Sequence, residues 1–555
     1  MGSFSRPHIC QCLRRASLVR RDSTFVIFGD RRKTGREFFD EVLSLSYNLL
    51  ELGIRAGDVV AVAAYNSVYY LELLLAVTFV GGILAPLNYR WSGSEARYAI
   101  SAVRPVVLVT DESCDRWYSV LEDSPMPSLR WHLSLGSSNP KSLNRLNVSF
   151  LDLLERRAVM STTTSYAWPP NGAAIICFTS GTTGWPKGVS ISHSAFIIQS
   201  MAKIAICGYG EDDVYLHTAP LCHIGGLSSA LAMLMVGARH VFIPKFDPGL
   251  AVDAIEKHSV TSLITVPTFI TDMSSFLREK ESWKGAESIR KVLNGGGSLS
   301  LKSTTEAIRL FPSARILSAY GMTEACSSLT FMTLHHSSRS NQPISVREQQ
   351  GTCIGKPAPH VEMRTDAADS VSSGRILTRG PHMMIGYWDQ PLESDTGGAS
   401  WFDTGDVGSI DESGNVWLIG RANGRIKSGG ENVYPEEVET AVLQHPGVVG
   451  VVVVGVPDAT LGETVIGCVR MSSDWTWSES DKLLQVRIGM AKEHVLTSSV
   501  LRQFCRGRDL TGFKIPKAFL NWGSRPFPTT STGKMRRDAV RAEVISRQQS
   551  LFSKM

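Results

Sequence analysis

Short apolar runs alternate with helix-like stretches through the first half of the chain, and each run ends in a polar or glycine-rich turn. The runs are DVVAVAA and PVVLVT near the start, then HVFIP, SLITVP, IRKVLNGGG and ARILSAYGMTE. Strands that alternate with helices predict βαβ units in a parallel sheet. Because ligands of open α/β sheets bind beyond the carboxyl ends of the strands, the polar turns are the expected place for a site.

The pattern changes from about Gly351 onward. Segments such as GRILTRG, FDTGDVGSI and GNVWLIG alternate over short distances and predict a small antiparallel β region. After Gly420 comes RANGRIKSGGEN, which is rich in glycine and poor in apolar residues. We expect a helix to begin at Pro435, whose fixed φ suits a first turn, and a compact α/β unit to follow it. This change predicts a domain break near Asn423, where Gly424 would let the backbone turn freely.

Composition fits a globular protein of more than one domain. With 555 residues, 43% of them hydrophobic and 20% charged, the chain is too long for one core and too apolar for disorder. Its most apolar stretch, residues 69–87, is interrupted by Glu72 and two glycines, so a buried core helix is expected rather than a membrane span. The net charge of +5 is spread without a basic block, which argues against nucleic-acid binding. Ten scattered cysteines without a CxxC pair predict buried thiols in a reducing compartment.

Both ends of the chain carry features of targeting signals. The first 21 residues contain five arginines and no acidic residue, which is typical of an organelle transit peptide but also fits a first structural helix. The last three residues, Ser553, Lys554 and Met555, are close to the Ser-Lys-Leu peroxisomal signal. These ends predict a peroxisomal import receptor as a partner, with the chloroplast as an alternative or additional location.

The segment CFTSGTTGWPKGVSISH, residues 177–193, has the composition of a phosphate-binding loop. Its glycines allow the backbone to approach an anion, its hydroxyls add donors, and Lys187 adds a positive charge. A Walker A loop is excluded, because Pro186 stands where that motif needs glycine and Gly188 follows the lysine. VSISH then alternates like a strand, whereas a helix follows the lysine of a Walker A loop.

The run TSGTTGWPKG resembles the signature loop of adenylate-forming enzymes, the superfamily of acyl-CoA synthetases, adenylation domains and firefly luciferases. Further segments of this family follow in the expected order, as NGGGSLS, SAYGMTE, WFDTGD, GRANGRIK and FPTTSTGKMRRD. The resemblance covers essentially the whole chain. It implies an α/β fold whose large N-terminal domain, residues 1–422, holds two βαβ-type sheets and a small β-barrel. A hinge at residues 423–424, a small mobile α+β domain at residues 425–548 and a tail at residues 549–555 would follow.

The resemblance also implies an ATP site with a magnesium ion. Tyr320 would stack on adenine, Thr323 would bond a phosphate oxygen, and Glu324 would hold Mg²⁺ through oxygen. Asp406 would accept the ribose hydroxyls, and Lys534 would be the catalytic lysine, acting with Thr323 and Glu324. The implied nucleotide-binding residues are Thr179, Ser180, Gly181, Thr182, Thr183, Gly184, Lys187, Gly295, Gly296, Ser318, Ala319, Tyr320, Gly321, Thr323, Asp406, Arg421 and Lys534.

Two further segments match the family's acyl and CoA sites. PLCHIGGLSSA resembles the acyl-pocket segment, in which His223 would close one wall while Gly225 and Gly226 would leave room for a ring. Ser228 and Gly297 would complete the pocket lining. The CoA segment is KSGGE, whose glycines suit a narrow channel; its residues are Lys427, Ser428, Gly429, Gly430 and Glu431.

Together these motifs imply ATP-dependent adenylation of a carboxylic acid, followed by transfer of the acyl group to CoA. The small domain would rotate about Asn423 and Gly424 between the two steps. Segments such as APLNYRW and IKSGGENVYPEEVE resemble the CoA ligases of plant naphthoquinone synthesis, which implies an acid with two carboxylates, one activated and one recognised. His223, Lys203 and Ser228 are the donors considered for the second carboxylate. The alternatives are a ligase for a medium-chain fatty or cinnamate-like acid, and an enzyme that stops at the adenylate.

Overall fold

The computed structural model divides the chain into two units. The first contains Met1–Ile344, Ile354–Met363 and Thr378–Phe402, and the second contains Ser345–Cys353, Arg364–Leu377 and Asp403–Met555. The structure describes residues 7–122, 126–135, 147–155, 166–179, 185–278, 280, 283–297, 299, 301–336, 351–367, 373–388, 390, 400–428, 431–458, 461–479, 494–508, 510, 512–530 and 535–552. The described helices are α1 Gln11–Val19, α2 Gly35–Glu51, α3 Val68–Phe79, α4 Gly93–Val103, α5 Tyr118–Glu122, α6 Phe150–Glu155, α7 His193–Cys207, α8 Ile224–Val236, α9 Pro248–His258, α10 Pro267–Arg278, α11 Leu301–Leu310, α12 Pro435–Val442, α13 Ser498–Arg506 and α14 Arg537–Phe552.

An eight-stranded sheet in the first unit carries the segment of the phosphate loop. In spatial order its strands are β19 (Gly386–Tyr387), β9 (Lys187–Ser192), β8 (Ala173–Thr179), β4 (Ile83–Pro86), β3 (Val59–Ala63), β5 (Val107–Thr110), β6 (Trp131–Ser134) and β7 (Asn147–Ser149). The strands from β8 to β7 are parallel, and β9 and β19 add antiparallel pairings at one edge. β3 and β5 are buried along their whole length, as expected for parallel strands that are covered on both faces.

A second sheet contains the strands whose carboxyl ends the sequence predicts to carry the site. Its strands within the first unit and at its boundary are, in spatial order, β2 (Arg31–Thr34), β1 (Thr24–Phe28), β11 (Arg239–Phe242), β10 (Val214–His217), β12 (Ser262–Thr265), β13 (Lys291–Asn294), β14 (Arg315–Met322), β15 (Ser327–His335) and β16 (Thr352–Pro357). From β1 to β14 the pairings are parallel, and α9, α10 and α11 connect the strands from β11 to β14. The predicted alternation of strands and helices is confirmed.

The apolar stretch at residues 69–87 contains a buried helix and then a strand. α3 is buried from Val68 to Thr78. The helix gives way after Phe79 because Gly81 takes a φ of +77°, a conformation that favours glycine. β4 then follows as a fully buried strand. The prediction of one core helix was therefore wrong for the last part of the stretch, since a short buried strand has the same apolar composition as a buried helix.

The arginine-rich start of the chain belongs to the folded first unit. α1 buries Cys12, Leu13 and Ala16, and it packs against α2 and α8. His8, just ahead of the helix, is fully buried and stacks on His193 with 4.0 Å between the ring centres. The described part of this segment is therefore a first structural helix, one of the two interpretations that the sequence allowed.

The remaining strands lie in the second unit or at its boundary. They are β17 (Glu362–Thr365), β18 (Gly374–Arg379), β20 (Phe402–Ile410), β21 (Val416–Arg421), β22 (Ile426–Ser428), β23 (Glu431–Val433), β24 (Val448–Asp458), β25 (Gly462–Met471), β26 (Trp475–Trp477), β27 (His494–Leu496) and β28 (Ala518–Asn521). β24 and β25 form a long antiparallel pair, and alternate valines of β24 face two different cores. One core is shared with α12 and α13, and the other with α14. This period of two is typical of a strand buried on both faces.

Several predicted features of the second unit match the structure. α12 begins at Pro435, with Glu436 and Glu437 in its first turn, where carboxylates complement the helix dipole. β20 and β21 pair antiparallel, as the alternation had predicted. The Trp-rich stretch after residue 471 contains the parallel pair β26 and β27, and Trp475 stacks on His494. The hinge at residues 423–424 stays a prediction. Residues 403–422, which the sequence placed in the N-terminal domain, belong to the second unit.

Two expectations from composition agree with the structure. None of the described helices is both long and apolar enough to cross a membrane. All ten cysteines are described as free thiols, and all except Cys353 are buried. The predicted buried thiols are confirmed.

Candidate active site

The phosphate-loop segment connects two paired strands. Thr179, the last residue of β8, lies opposite Lys187, the first residue of β9, so the loop spans residues 180–186 of an antiparallel hairpin. A strand therefore follows the lysine, which confirms that this is not a Walker A loop. Five predicted donors of the loop, at residues 180–184, lie outside the described residues. The Lys187 ammonium lies 5.4 Å from the centre of the Tyr387 ring, within the range of a cation–π contact.

The turn between β14 and β15 holds two of the predicted catalytic residues. Thr323–Ala325 form a single 3₁₀ turn between these antiparallel strands. Gly321 is required by close packing, because a Cβ there would lie 1.7 Å from the carbonyl oxygen of Ser327. Thr323 is partly exposed, whereas Glu324 is only 8% exposed. The turn therefore buries Glu324 and leaves Thr323 partly accessible to solvent.

Glu324 is held by the strand that pairs with the phosphate-loop hairpin. The Tyr387 hydroxyl of β19 donates a hydrogen bond to Glu324 Oε1 at 3.0 Å, and the Met384 N–H donates to the Glu324 carbonyl oxygen at 2.8 Å. The 3₁₀ turn also contacts β8 and β9. Burial, followed by the charge of Glu324, raises the pKa of Tyr387, so the phenol keeps its proton and acts as a donor. Tyr387 thus contacts both predicted residues: its ring lies near the Lys187 ammonium, and its hydroxyl bonds the Glu324 carboxylate.

Gln199 fixes the other side of the same turn. This side chain of α7 is fully buried, and its amide donates to the carbonyl oxygens of Ala325 at 2.9 Å and Ser328 at 2.7 Å. Cys326, between these acceptors, takes a φ of +54°. A buried amide that satisfies both carbonyls stabilises a conformation that a non-glycine residue adopts at a cost.

The carboxyl ends of β12, β13 and β14 meet at one edge of the second sheet. Thr265 lies opposite Asn294, and Asn294 lies opposite Ser318. The Asn294 amide donates to the carbonyl oxygen of Gly297 at 2.7 Å and to Ser318 Oγ at 3.4 Å, so it ties the glycine segment to the start of the nucleotide motif. Of the predicted residues on this edge, those that are at least partly exposed are Gly295, Gly296, Gly297, Ser318, Ala319, Tyr320 and Gly321.

Glycine has a different role at each of two positions in the predicted acyl segment. Outside its own helix, a Cβ at Gly225 would have a single neighbour within 4 Å, Ile264 Cδ1 at 3.9 Å, so the position beside Gly225 is open. A Cβ at Gly226 would lie 2.4 Å from the carbonyl oxygen of Pro220. The expectation that Gly226 leaves room for a ring is therefore wrong: its missing side chain allows the start of α8 to pack against the preceding turn.

His223 and Ser228 lie at the start of α8 with different exposure. His223 is the partly exposed N-cap residue, and its side chain makes no capping bond. Ser228 is fully buried, and its hydroxyl accepts a hydrogen bond from Lys203. Asn66 anchors the segment from the first sheet, since its amide donates to the Ala219 carbonyl oxygen at 3.0 Å and its Oδ1 accepts from the Leu221 N–H at 2.8 Å.

In the second unit, two predicted nucleotide residues pair with each other. Arg421 Nε lies 2.8 Å from Asp406 Oδ1, and the two residues are opposite each other on β21 and β20. The Arg421 side chain is 52% exposed, and that of Asp406 is 4% exposed. The guanidinium of this pair is therefore partly accessible to solvent, whereas the carboxylate is buried.

The predicted CoA segment is a β hairpin. Ser428 of β22 lies opposite Glu431 of β23, and the Lys427 N–H donates to Glu463 Oε2 at 3.0 Å. Gly424 ends a short 3₁₀ turn that precedes the hairpin. The remaining predicted residues of this unit lie outside the described residues or have no described side chain; they are Asn423, Gly429, Gly430, Lys534, Ser553, Lys554 and Met555.

A magnesium ion fits the chemistry of Glu324. Mg²⁺ prefers oxygen ligands and is commonly held by one or two carboxylates together with substrate phosphates. Over the described ranges, no cluster of three or more His, Cys, Asp or Glu side chains could hold a metal by itself. One carboxylate beside a phosphate loop is therefore the donor set expected for an ion that arrives with a nucleotide.

Sequence reasoning missed the residues that support this site, which are Tyr387, Gln199, Asn294 and Asn66. Asn294 begins the NGGGSLS segment but was assigned no role, and the other three lie outside the quoted motifs. Tyr387 reaches Glu324 only because β19 pairs with β9, and Gln199 reaches the turn from a helix more than a hundred residues away in sequence. Asn294 was the exception that could have been found, since it directly precedes the glycine segment at the end of a predicted strand.

Comparison with known proteins defines the class. The AMP-binding enzyme family matches residues 13–388, and the C-terminal domain of AMP-binding enzymes matches residues 437–534. The chain belongs to the family of AMP-binding enzymes. A relative that matches over its full length is the 2-succinylbenzoate–CoA ligase, chloroplastic/peroxisomal, of Arabidopsis thaliana, which is 52% identical over 569 residues with 100% of both chains covered.

Solved structures of related enzymes share the fold. The amide bond synthetase of Marinactinospora thermotolerans is 26% identical with a TM-score of 0.79, over 97% of this chain and 99% of that chain. The o-succinylbenzoate CoA synthetase of Bacillus subtilis, in complex with its acyl-adenylate intermediate, is 23% identical with a TM-score of 0.74, over 97% and 98% of the two chains. The same enzyme with ATP and a magnesium ion is 24% identical with a TM-score of 0.74, over 96% and 99%. The predicted α/β fold, with a large N-terminal and a smaller C-terminal domain, is confirmed.

Proposed function

We propose that the protein is an ATP-dependent 2-succinylbenzoate–CoA ligase that forms AMP and pyrophosphate in naphthoquinone synthesis. The observation that carries this proposal is the 52% identity, over the whole of both chains, to the ligase of that name from Arabidopsis thaliana. The arrangement of Lys187, Tyr387 and Glu324 supports it, because it offers a cation and a carboxylate where a nucleotide triphosphate needs them. The class of enzyme and the fold follow from the family.

The first half-reaction converts a poor acylating agent into a good one. A carboxylate oxygen attacks the α-phosphorus of ATP, an acyl adenylate forms, and pyrophosphate leaves with the electron pair of the broken P–O bond. Negative charge accumulates between two anions in the transition state, so cations that are positioned in advance stabilise it. We assign this role to Lys534, while Lys187 and the loop at residues 180–184 hold the departing phosphates.

Glu324 would hold Mg²⁺ in this complex, and Tyr387 orients the carboxylate for that purpose. Bound magnesium neutralises phosphate charge and polarises the phosphoryl oxygens. Tyr320 would stack on adenine and Asp406 would accept the ribose hydroxyls. Arg421, which is half exposed beside Asp406, would contact phosphate.

In the second half-reaction the thiol of CoA attacks the activated carbonyl and AMP leaves. We propose that the C-terminal domain rotates about Asn423 and Gly424 between the steps, so that Lys534 leaves the site and the β22–β23 hairpin approaches it. Lys427, Ser428, Gly429, Gly430 and Glu431 would then flank the pantetheine arm. Rotation allows one site to serve two geometries that exclude each other.

The proposal is tested with the purified full-length protein and a panel of acids. ATP–pyrophosphate exchange measures adenylation, and release of AMP that depends on CoA measures the complete reaction. We expect 2-succinylbenzoate to exceed cinnamate and octanoate by roughly 100-fold or more in kcat/KM, because a site that bonds a polar substrate group rejects acids that lack it. Selective exchange with cinnamate or octanoate would instead identify a ligase for another acid, and adenylation without CoA-dependent turnover would identify an adenylation-only enzyme.

We also propose a location in peroxisomes and chloroplasts, which the name of the Arabidopsis relative supports. In this proposal, residues 553–555 contact a peroxisomal import receptor. α1 contributes buried side chains to the first unit, so a mature form that lacked residues 1–21 would lose part of that core. Fluorescent reporters placed at either end of the full chain test the two signals separately, and a diffuse cytosolic signal from both fusions would contradict the proposed location.

A further inference from the structure

Lys203 is a buried lysine whose described partners are all uncharged. It lies on α7 with no exposed surface, and its ammonium donates to Ser228 Oγ at 2.6 Å and to Ser229 Oγ at 3.2 Å. Its third contact is the carbonyl oxygen of Gly225, at 3.5 Å. Among the residues that the structure describes, no carboxylate forms an ion pair with Lys203.

Two other lysines that lose most of their exposure to water on folding each have an acidic partner. Lys514, the other buried lysine of the described residues, lies 2.7 Å from Glu437. Lys33, which is largely buried, lies 2.6 Å from the buried Glu72. Burial of a charge without an opposite charge is costly, so proteins rarely retain such a group without a use for it. Lys203 is the exception that needs an explanation.

Among the described residues, no group near Lys203 supplies a charge that could neutralise it. The ionisable groups that face this region are Cys207 on the same helix, Cys326 ahead of β15, and Tyr215 of β10, which lies near Ser229. Burial raises the pKa of Cys207 to about 11, and it also raises the pKa values of Cys326 and Tyr215, so all three are neutral at pH 7. Burial lowers the pKa of Lys203 to about 8, which leaves most of the population charged at neutral pH.

The contacts of Lys203 all lie on the first turns of α8, the segment that the sequence predicts to line the acyl pocket. The open position beside Gly225, where a Cβ would approach only Ile264, is on the same turns. The hydroxyl of Ser228 accepts from Lys203, while its own acceptor, the Gly225 carbonyl oxygen, is 3.4 Å away. A ligand oxygen beside Gly225 would therefore be close to the Ser228 hydroxyl, whose bond to its present acceptor is long and weak. The Lys203 ammonium contacts the same hydroxyl.

We propose that Lys203, with the hydroxyl of Ser228, binds the carboxylate of the substrate that is not activated, and thereby makes the enzyme prefer a diacid to a monoacid. This inference rests on the proposed function. It also selects among the three donors that the sequence left open. His223 is partly exposed at the N-cap and Ser228 carries no charge, whereas Lys203 offers a cation that is removed from solvent. A buried carboxylate–ammonium pair would give both charges the partner they lack in isolation.

The test compares a diacid with its monoacid counterparts in the wild-type enzyme and in Lys203→Met, which keeps the length of the side chain and removes its charge. The probes are 2-succinylbenzoate, 4-oxo-4-phenylbutanoate, which lacks the ring carboxylate, and 2-butanoylbenzoate, which lacks the chain carboxylate. Pyrophosphate exchange gives kcat/KM for each acid that is adenylated, and titration calorimetry with AMP present gives Kd for each acid whether or not it reacts.

We expect Lys203→Met to lower kcat/KM for the diacid roughly 100-fold or more, mainly through KM. It should also weaken binding of the monoacid that keeps the recognised carboxylate, and it should change binding of the monoacid that lacks this carboxylate less than about threefold. Ser228→Ala should show the same selectivity with a loss of roughly tenfold. In the wild type, the diacid preference should decline above about pH 8, because the free lysine then loses its proton and with it the attraction for a carboxylate.

Lys291→Met is the matched control, since it removes a lysine of the same unit that is paired with Asp213 at 2.6 Å. It should lower stability and leave the ratio of diacid to monoacid unchanged. Equal losses for the diacid and both monoacids in folded Lys203→Met, or an unchanged diacid, would overturn the inference while the proposed function stands. A wild-type enzyme that ignores 2-succinylbenzoate would remove the proposed function, and the inference with it. If Lys203→Met does not fold, Ser228→Ala and the wild-type pH dependence of the diacid preference decide.

Discussion

The two units of the chain hold their predicted nucleotide residues in different ways. In the first unit, neutral side chains that were assigned no role support them: Tyr387 donates to Glu324, Gln199 fixes the turn behind it, and Asn294 contacts Ser318. All of these donors are at least partly buried. Hydrogen bonds of this kind keep a fixed geometry, because breaking one leaves a buried polar group without a partner.

In the second unit the predicted residues support each other through charge. Asp406 and Arg421 form an ion pair with a buried carboxylate and a half-exposed guanidinium. Solvent screening at the guanidinium weakens such a pair, so the guanidinium can exchange partners. The difference indicates a division of labour. In the proposed function, the first unit would maintain one arrangement for the phosphates and the metal, while the second would present charges that move from a protein partner to a substrate. Substitutions in each unit test this comparison, because they show whether a residue is held by fixed hydrogen bonds or by an ion pair that can exchange partners.

The largest effect is expected from Lys534→Ala in the second unit. If this lysine enters the site only for adenylation, pyrophosphate exchange should fall roughly 10³-fold or more, because a preorganised cation is lost from the transition state. Transfer to CoA from a supplied acyl adenylate should stay within about threefold of the wild type. Lys517→Ala removes an exposed lysine of the same unit and serves as the control. Equal loss in both half-reactions would contradict an exchangeable role for Lys534.

The next largest effect is expected from Glu324→Gln in the first unit. The amide keeps the size of the side chain but offers Mg²⁺ a neutral oxygen, so kcat for adenylation should fall roughly 100-fold and the magnesium concentration for half-maximal rate should rise. Glu211→Gln, which alters an exposed glutamate of the same unit, should leave both values unchanged.

Tyr387→Phe is a milder change at the same site, because it keeps the Glu324 carboxylate and removes the hydroxyl that donates to it. We expect a loss of roughly tenfold that added magnesium partly restores, since the ion itself can orient a carboxylate that has lost its hydrogen bond. If Glu324→Gln leaves the magnesium dependence as it was, Glu324 is not the metal ligand, and the support from Tyr387 has another purpose.

Gln199→Met should have its main effect on stability. The substitution leaves the carbonyls of Ala325 and Ser328 without their buried donor, so the free energy of unfolding should fall by about 2–3 kcal/mol. Adenylation should slow roughly tenfold as the turn loses its fixed position, with little change in the KM for ATP. Chemical denaturation and pyrophosphate exchange measure the two effects. A variant as stable as the wild type would show that the turn does not depend on Gln199.

Sequence reasoning located the parts of this molecule whose chemistry depends on neighbours in the chain. The phosphate hairpin, the parallel pairing that brings Asn294 opposite Ser318, and the start of α12 at Pro435 all follow from local pattern and turn chemistry. The family resemblance added the domain order. Such features are readable because a strand, a turn or a cap is specified within a few residues.

What the sequence could not supply was support from distant parts of the chain. Gln199 is 126 and 129 residues away in sequence from its two acceptors, Ala325 and Ser328. Tyr387 is 63 residues away from Glu324. The error at Gly226 has the same cause, since the carbonyl of Pro220 that fills the space is visible only after the turn is folded. The strand at residues 83–86 was missed because burial on both faces erases the period that separates a strand from a helix.

The smallest effect on stability is expected from Arg421→Met, the counterpart of Gln199→Met in the second unit. Because the guanidinium is half exposed, the ion pair with Asp406 should contribute no more than about 0.5 kcal/mol, and the loss should shrink further at high salt. The KM for ATP should nevertheless rise roughly tenfold, since a phosphate contact is removed. Denaturant titration at two salt concentrations and ATP saturation curves give both numbers. A large loss of stability with an unchanged KM would mean that Arg421 is a fixed support, and the contrast between the two units would then disappear.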